Sequence, residues 1–381
     1  MDHTEVAIIG AGIAGASAAA VMGRRGIPCV VFDATSTDRP DFRCEKVDQT
    51  QLDRLAMCGL DDVFSDASLQ NRTLWVGRGG RVVERTPYLQ ATSPYEGMVA
   101  TMRGAISGSA QHVASRVVRV ETSDTLQTLH LADGSVWTAR LVVVATGPSP
   151  KLVRALGFER RVLSRHHSIS IGFDIHPSGT SSFPFESVTW FPERFDGATA
   201  YITVFRMGDL WRANLFVYRP VRDPWLERMK ADPVGTLTEL MPGFVRLAGA
   251  VAIPGPVRVR SVDLYETVGA PRPGIVLVGD AFATSDPAAG TGFDKVWSDV
   301  HRLVNGHIEG WLATPGMGVD KVGAFYADRE KRECDAWCRK RAFDSRSLAT
   351  STEPYWRLRR RAAWAVQTTR GAVRSVVSPL R

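Results

Sequence analysis

The stretch Glu5-Val-Ala-Ile-Ile-Gly-Ala-Gly-Ile-Ala-Gly15, continuing through Ala16–Arg25 and Gly26-Ile-Pro28 to Cys29-Val-Val-Phe-Asp33, decides the fold. Its opening residues form a short β-branched run, the pattern of a parallel strand buried on both faces. Three glycines follow, each with a physical job. Gly10 permits a tight turn, Gly12 lets the backbone approach a pyrophosphate, and Gly15 lets the next helix pack closely on the strand. The amides at that helix's start face the phosphates. Residues 29–32 predict a second strand. Asp33, 18 residues after Gly15, is placed to accept hydrogen bonds from a ribose. The order of strand, glycines, helix, strand and acid predicts dinucleotide binding. The acid favours an unphosphorylated ribose, hence FAD or NAD over NADP.

Two later segments repeat the strand-to-turn pattern. Leu141-Val-Val-Val-Ala145 runs into Thr146-Gly-Pro-Ser-Pro-Lys-Leu-Val-Arg154. Gly274-Ile-Val-Leu-Val-Gly-Asp280 runs on to Pro287-Ala-Ala-Gly290-Thr-Gly292, and a helix is expected from about Phe293 to Trp311. Asp280 can accept from a ribityl hydroxyl. Amides at Gly290–Gly292, at a helix start, can support negative charge on a reduced flavin ring. Pro287 is expected to lie against that ring.

Together these motifs resemble the class A flavoprotein monooxygenases, which have the para-hydroxybenzoate hydroxylase fold. The resemblance runs along nearly the whole chain. Phe42-Arg43-Cys44-Glu45-Lys46, ahead of an expected helix Gln49–Met57, is similar to that family's flavin-contacting arginine segment. Met102-Arg103-Gly104, expected to open a helix, is similar to its second flavin-contacting position. The resemblance implies non-covalent FAD held by Gly10, Gly12, Ile13, Ala14, Gly15, Asp33, Arg43, Arg103, Asp280, Pro287, Gly290, Thr291 and Gly292. It also implies NADH or NADPH as transient reductant. The chain departs from the family pattern at Thr146, where an acid is usual, and at Ala283, where a histidine is usual. Asp286 adds a carboxylate before Pro287 and is the one acid–base candidate.

The expected fold class is α/β: a Rossmann-like FAD-binding domain with an inserted, mostly antiparallel substrate sheet and C-terminal helices. The FAD domain is expected over 1–74, 95–162 and 256–345. The substrate sheet is expected over 75–94 and 163–255, and a basic helical tail over 346–381. Period-two alternation between Leu163 and Tyr218 marks strands, and Trp75–Arg85 reads as a hairpin turning at Gly79-Gly80. Trp225–Met241 reads as a helix. Aromatic residues are dense in the sheet segment, so Trp190, Tyr201, Phe205 and Phe216, with Arg212, are expected to line a substrate pocket. His166 and His167 open a strand and are read as exposed or hydrogen-bonded histidines rather than catalytic ones.

Net charge is +7, and the tail from Pro354 supplies seven arginines without an acid, so residues 1–353 balance near zero. That argues against nucleic-acid binding by the main body. The tail is expected to pack back on the FAD domain, with peripheral contact to an anionic membrane as the other reading. No segment reads as a signal peptide or a transmembrane helix, and five cysteines form no zinc-type pairs, which together suggest a cytoplasmic protein without a metal site. The thiols Cys334 and Cys338, one helical turn apart, read as partly buried. Oligomeric state is left open.

The resemblance implies an enzyme inserting one oxygen atom of O2 into a small-to-medium apolar or aromatic molecule by way of a flavin C4a-(hydro)peroxide, in secondary or catabolic metabolism. The alternatives are an FAD-dependent reductase of the same fold, or a cyclase or isomerase holding FAD structurally. Halogenation is disfavoured because no Trp-x-Trp-x-Ile-Pro stretch is present.

Overall fold

In the first sheet, strand Asp2–Ile9 pairs in parallel with Cys29–Phe32 on one side and Val136–Val144 on the other. A computed structural model describes residues 1–34, 42, 43, 45–65, 69–179 and 182–377; Cys44 and Arg381 lie outside these. Ile275–Leu277 adds in parallel beside Val136–Val144, so the three motif-bearing strands are neighbours. Their turns therefore open at one end of one sheet, where ligands of open α/β sheets bind. Ala110–Val113 extends the sheet in parallel, and Gln127–Leu131 and Val117–Glu121 extend it antiparallel. Helix Ile13–Arg24 packs an alanine-rich, fully buried face on this sheet. Gly15 sets how closely it packs, since a Cβ there would lie 1.8 Å from the Gly10 carbonyl oxygen.

The second sheet has eight strands, in the order Arg258–Val268, Glu159–Asp174, Leu210–Val217, Thr199–Met207, Ser187–Trp190, Leu69–Arg78, Arg81–Thr92 and Lys46–Asp48. Every pairing is antiparallel except Ser187–Trp190 with Leu69–Arg78. Its ladders reach past positions 75, 163 and 255, because backbone pairing continues where apolar alternation has stopped. The hairpin does turn at Gly79 and Gly80, both in the left-handed region. One face of the sheet buries Ile169, Ile171, Phe173, Val204 and Leu215 in a core that also takes in Phe244 from a covering helix.

Three departures from expectation have local causes. Residues 225–241 lie not in one helix but in parts of three, Pro224–Ala231, Pro233–Leu240 and Pro242–Ala248. Each starts on a proline, which has no N–H to continue the preceding helix but fits a first turn. Asp223 and Asp232 cap the first two. The helix after Gly292 covers Gly292–Val300, then widens to a π-helical His301–Ile308 before Glu309–Leu312. The basic helix Pro354–Val377 packs on the substrate sheet rather than on the FAD domain: a Cβ on its Gly371 would lie 1.8 Å from the Val83 carbonyl oxygen. Among the described residues no helix is long and apolar enough to cross a membrane.

Candidate active site

Between the two sheets lies a cavity of about 1720 Å³. That exceeds the roughly 300–1,000 Å³ of a site for one small ligand, so it has room for a dinucleotide and a second molecule. One wall is made of the three motif turns. Gly10, Gly12, Ile13, Ala14, Asp33, Arg43, Arg103, Asp280, Pro287, Gly290 and Gly292 line it, whereas Gly15 and Thr291 lie behind. Gly15 acts through helix packing, and the Thr291 side chain is buried.

The first turn is closed by side chains. The Ala11 amide donates to Asp33 Oδ2 at 2.6 Å, and Arg103 Nε donates to the Ala11 carbonyl at 2.8 Å. Arg103 Nη2 lies 3.7 Å from the same carboxylate oxygen. Arg103 sits in the last turn of helix Tyr95–Gly104, not at a helix start, and reaches back to the glycine turn from there.

Buried groups hold the third turn from behind. Tyr265 Oη donates to the Asp280 carbonyl at 2.8 Å, and the Gly279 amide donates to Asp299 Oδ2 at 2.9 Å. Asp299 belongs to a buried cluster with Lys295, Lys331 and Asp335. Burial pushes the Asp280 carboxyl up, while Arg43, Arg260, Lys295 and Arg160 pull it down. Gln51 Nε2 donates to the Gly290 carbonyl at 2.8 Å and to Asp294 Oδ2 at 3.0 Å. Its position follows from an Asp48/Gln51 capping box. The pattern Asp48-x-x-Gln51 was present in the sequence as a helix-start signal, though not as a cofactor-loop signal.

Asp286 is fully buried and caps the short turn Pro287–Ala289. Its Oδ1 accepts from the Ala288 amide at 3.1 Å and from Ser168 Oγ at 2.6 Å, and its Oδ2 accepts from Tyr218 Oη at 3.2 Å. Burial raises the Asp286 carboxyl and lowers the His167 imidazole, whose Nε2 stands 3.8 Å away and donates to the Ala342 carbonyl. His166, by contrast, is exposed. The buried thiols of Cys334 and Cys338 donate to the carbonyls of Asp294 and Thr291.

The wall accommodates FAD. A Cβ on Gly12, Gly290 or Gly292 would meet nothing within 4 Å, so open space borders the backbone at all three glycines. Thr146 Oγ1 and Ser285 Oγ, on the same lining, are buried without a hydrogen-bond partner.

The opposite wall is the substrate sheet. Tyr201 and Phe216 line the cavity, joined by Phe191. Trp190, Phe205 and Arg212 do not. Strand side chains alternate between faces, so Thr189 looks into the cavity and Trp190 into the core, against Phe244 at 6.2 Å. Phe205 is buried, with Lys46 Nζ 5.2 Å from its ring centre. Arg212 is pinned between Glu45 at 3.3 Å and Asp174 at 3.2 Å. The sequence reading missed Glu45, Gln90, Ser170 and Asn214. All four line the cavity, and each carries a buried oxygen without a hydrogen-bond partner. Burial pushes the Glu45 carboxyl up to about 7, with Arg212 pulling the other way.

Comparisons with known proteins agree with this geometry. Residues 3–178 match the family described as an FAD binding domain. The 3-demethoxyubiquinol 3-hydroxylase of Escherichia coli (strain K12) is 24% identical over 354 residues, spanning 82% of this chain and 83% of that protein. The p-nitrophenol 4-monooxygenase PnpA of Pseudomonas putida DLL-E4 superposes with a TM-score of 0.76 at 14% identity, covering 97% of this chain and 95% of its own. HpxO of Klebsiella pneumoniae, solved with FAD and uric acid, gives 0.71 at 18% identity, covering 97% and 94%. The chain is an FAD-binding protein with the fold of the class A flavin-dependent monooxygenases.

Proposed function

We propose that this protein is an FAD-dependent monooxygenase that uses NADH or NADPH and O2 to insert one oxygen atom into a small-to-medium aromatic substrate. The observation that carries this reading is the continuity of the cavity. The glycine-turn wall and the aromatic wall share one space, and Tyr201 Oη donates at 2.7 Å to the Ala288 carbonyl, one residue from Pro287. Bound FAD would supply the redox chemistry, two-electron uptake from a nicotinamide and activation of O2. The chain supplies orientation, exclusion of water and proton handling.

Gly12 and the amides after Gly290 would hold the phosphates and ring. Asp280 and Asp33 would accept from the ribityl and ribose hydroxyls. Asp286 keeps the Pro287 turn rigid through three hydrogen bonds and acts as a positioning residue. Phe216, Tyr201 and Phe191, tilted 55° and 49° from each ring to the next, give an aromatic wall for the ring of a substrate. Glu45 accepts a proton on Oε2 from a substrate hydroxyl, since a carboxyl near neutrality is matched to that task. The 3-demethoxyubiquinol hydroxylase and the p-nitrophenol monooxygenase, both named for ring oxidation, support the aromatic assignment.

The test is anaerobic mixing of purified holoenzyme with NADH or NADPH, followed by labelled oxygen gas in the presence of a panel of phenols. The expected result is loss of oxidised-flavin absorbance with one nucleotide, then a product carrying one labelled oxygen. Flavin that neither nucleotide reduces, or oxygen recovered wholly as hydrogen peroxide with every phenol, overturns the reading.

A further inference from the structure

The aromatic wall is a row with a direction. The rings of Phe216 and Tyr201 are 5.1 Å apart and those of Tyr201 and Phe191 are 5.6 Å apart. The flavin-holding loop meets the row at Tyr201, its middle ring, whose hydroxyl donates to the Ala288 carbonyl, and at Phe216, which packs against the cluster of Tyr218, Ala288 and Ala349. At the other end the guanidinium of Arg78 lies 3.4 Å over the Phe191 ring. The pairing of Leu69–Arg78 with Ser187–Trp190 places it there: Gly77 is opposite Trp190, and the Phe191 amide donates to the Gly77 carbonyl at 3.0 Å.

Arg78 lines the cavity and, among the described residues, no carboxylate pairs with it. Its Nε donates to Gln367 of the basic C-terminal helix. Glu193, the acid nearest the row in sequence, is turned away and accepts from the Gly243 amide. Burial draws the guanidinium down to about 10, so it stays charged at neutral pH. A partly desolvated cation without a counter-ion is costly unless a ligand supplies the opposite charge.

A second observation points the same way. The C-terminal helix, which holds the chain's surplus of positive charge, forms the roof over this end of the row. Arg359, Arg360, Ala363 and Gln367 all line the cavity. Arg360 lies 4.1 Å over the Phe195 ring, and its N–H groups donate to the carbonyls of Leu348 and Ser351, which orient it without neutralising it. Arg359 is paired at 3.2 Å with Asp344, which also lines the cavity, so among the described residues the uncompensated charge at this end belongs to Arg78 and Arg360 and favours a ligand of the opposite sign.

We propose that the substrate carries a carboxylate, which Arg78 binds at the end of the Phe216–Tyr201–Phe191 row away from the flavin-holding loop, under the basic C-terminal helix. The planar guanidinium fork matches a carboxylate. The ring step from Tyr201 to Phe191 separates the loop from Arg78 and places the acid on the side of the molecule remote from the oxidised carbon. This assignment deepens the monooxygenase reading and rests on it for which end reacts.

The experiment titrates oxidised holoenzyme with matched probes and follows the bound-flavin absorbance. The probes are phenols carrying a para carboxylate on a chain of none to four methylenes, each paired with its carboxamide. The expected result is that at least one acid binds roughly 10- to 150-fold more tightly than its amide, as a charge-assisted hydrogen bond requires. Arg78→Met abolishes the preference without weakening the amide, and Arg78→Lys keeps part of it; flavin content reports folding of both. Equal binding of acid and amide by the wild-type protein, no binding by any acid, or a preference that survives Arg78→Met overturns the assignment. The titration involves no oxygen transfer. A protein that prefers acids but never oxidises them loses the monooxygenase reading and keeps the anion site, and the reverse result separates them equally.

Discussion

The two walls of the cavity are made of different material. The flavin-holding wall is backbone: three turns whose glycines leave room for a ligand. The substrate wall is side chains: aromatic rings, an arginine with no carboxylate partner among the described residues, and four buried oxygens, spaced by strand register. A backbone site depends on local sequence, because a glycine turn has its conformation wherever the strands around it pair. A side-chain site depends on which strands are neighbours. The first wall is rigid by construction, and the second can change its ligand through single substitutions.

That contrast breaks if the backbone wall fails when side chains behind it are altered, and the sharpest probe is Lys331. Its ammonium is buried, 2.9 Å from Asp299 and 3.0 Å from Asp335, and Asp299 in turn holds the Gly279 amide. Lys331→Met leaves an uncompensated buried negative charge, expected to cost about 3–5 kcal/mol. Urea unfolding checks the loss, and flavin retained on gel filtration reports whether the Asp280 turn loosens with it.

Glu45 probes the other wall, through pH. Its folded pKa of about 7 lies above the ordinary 4.5, so the folded state holds the proton more tightly than the unfolded chain. The resulting stability is full below pH 4.5 and is lost as pH rises through 7, on the order of 3 kcal/mol in all. Glu45→Gln flattens that slope in unfolding curves at a series of pH values. An unchanged slope shows that the folded pKa of Glu45 is not raised, and the carboxylate is then too weak a base to be matched to proton transfer near neutrality.

Gly15→Ala tests whether the first turn tolerates any side chain at all. The added Cβ would press on the Gly10 carbonyl, backbone that cannot rotate away, for an expected loss of about 1–3 kcal/mol. Helix Ile13–Arg24 must shift outward, carrying Gly12 and its neighbouring amides away from the position proposed for the phosphates. Flavin-to-protein absorbance ratio falls together with melting temperature. A variant with full flavin content shows that the helix has more freedom than the packing implies.

The same contrast explains what was legible in the sequence. Gly10, Gly12 and Asp33 were readable because strand, turn and helix are contiguous there, and the structure lines the cavity with all three. Arg103 was readable by position but not by setting: it reaches the first turn from a helix end. Trp190, Phe205 and Arg212 were misplaced because composition marks a strand as aromatic without saying which face meets the cavity. The face is set by pairing of residues 69–78 with 187–190, more than a hundred positions apart in sequence. Glu45 and Asn214 were invisible for the same reason, since only long-range folding brings an arginine-segment acid over a strand from the inserted sheet. The three-helix breakup at Pro233 and Pro242 was, by contrast, available from the prolines alone.

Tyr201→Phe carries the smallest expected effect and separates the walls most directly, because its hydroxyl bridges them. The bond to the Ala288 carbonyl is neutral, and its removal is worth about 0.5–1.5 kcal/mol. The Pro287 turn keeps its Asp286 cap, and Gln51 still holds Gly290, so flavin content is expected to stay at the wild-type level. The phenylalanine ring keeps its place between Phe191 and Phe216, so aromatic ligands are expected to bind with little change. What loosens is the alignment of one wall against the other, which appears as a lower kcat and more hydrogen peroxide per nucleotide oxidised at unchanged KM. Loss of flavin from Tyr201→Phe would mean that the backbone wall borrows its rigidity from the sheet opposite, and the two walls would then be one site rather than two.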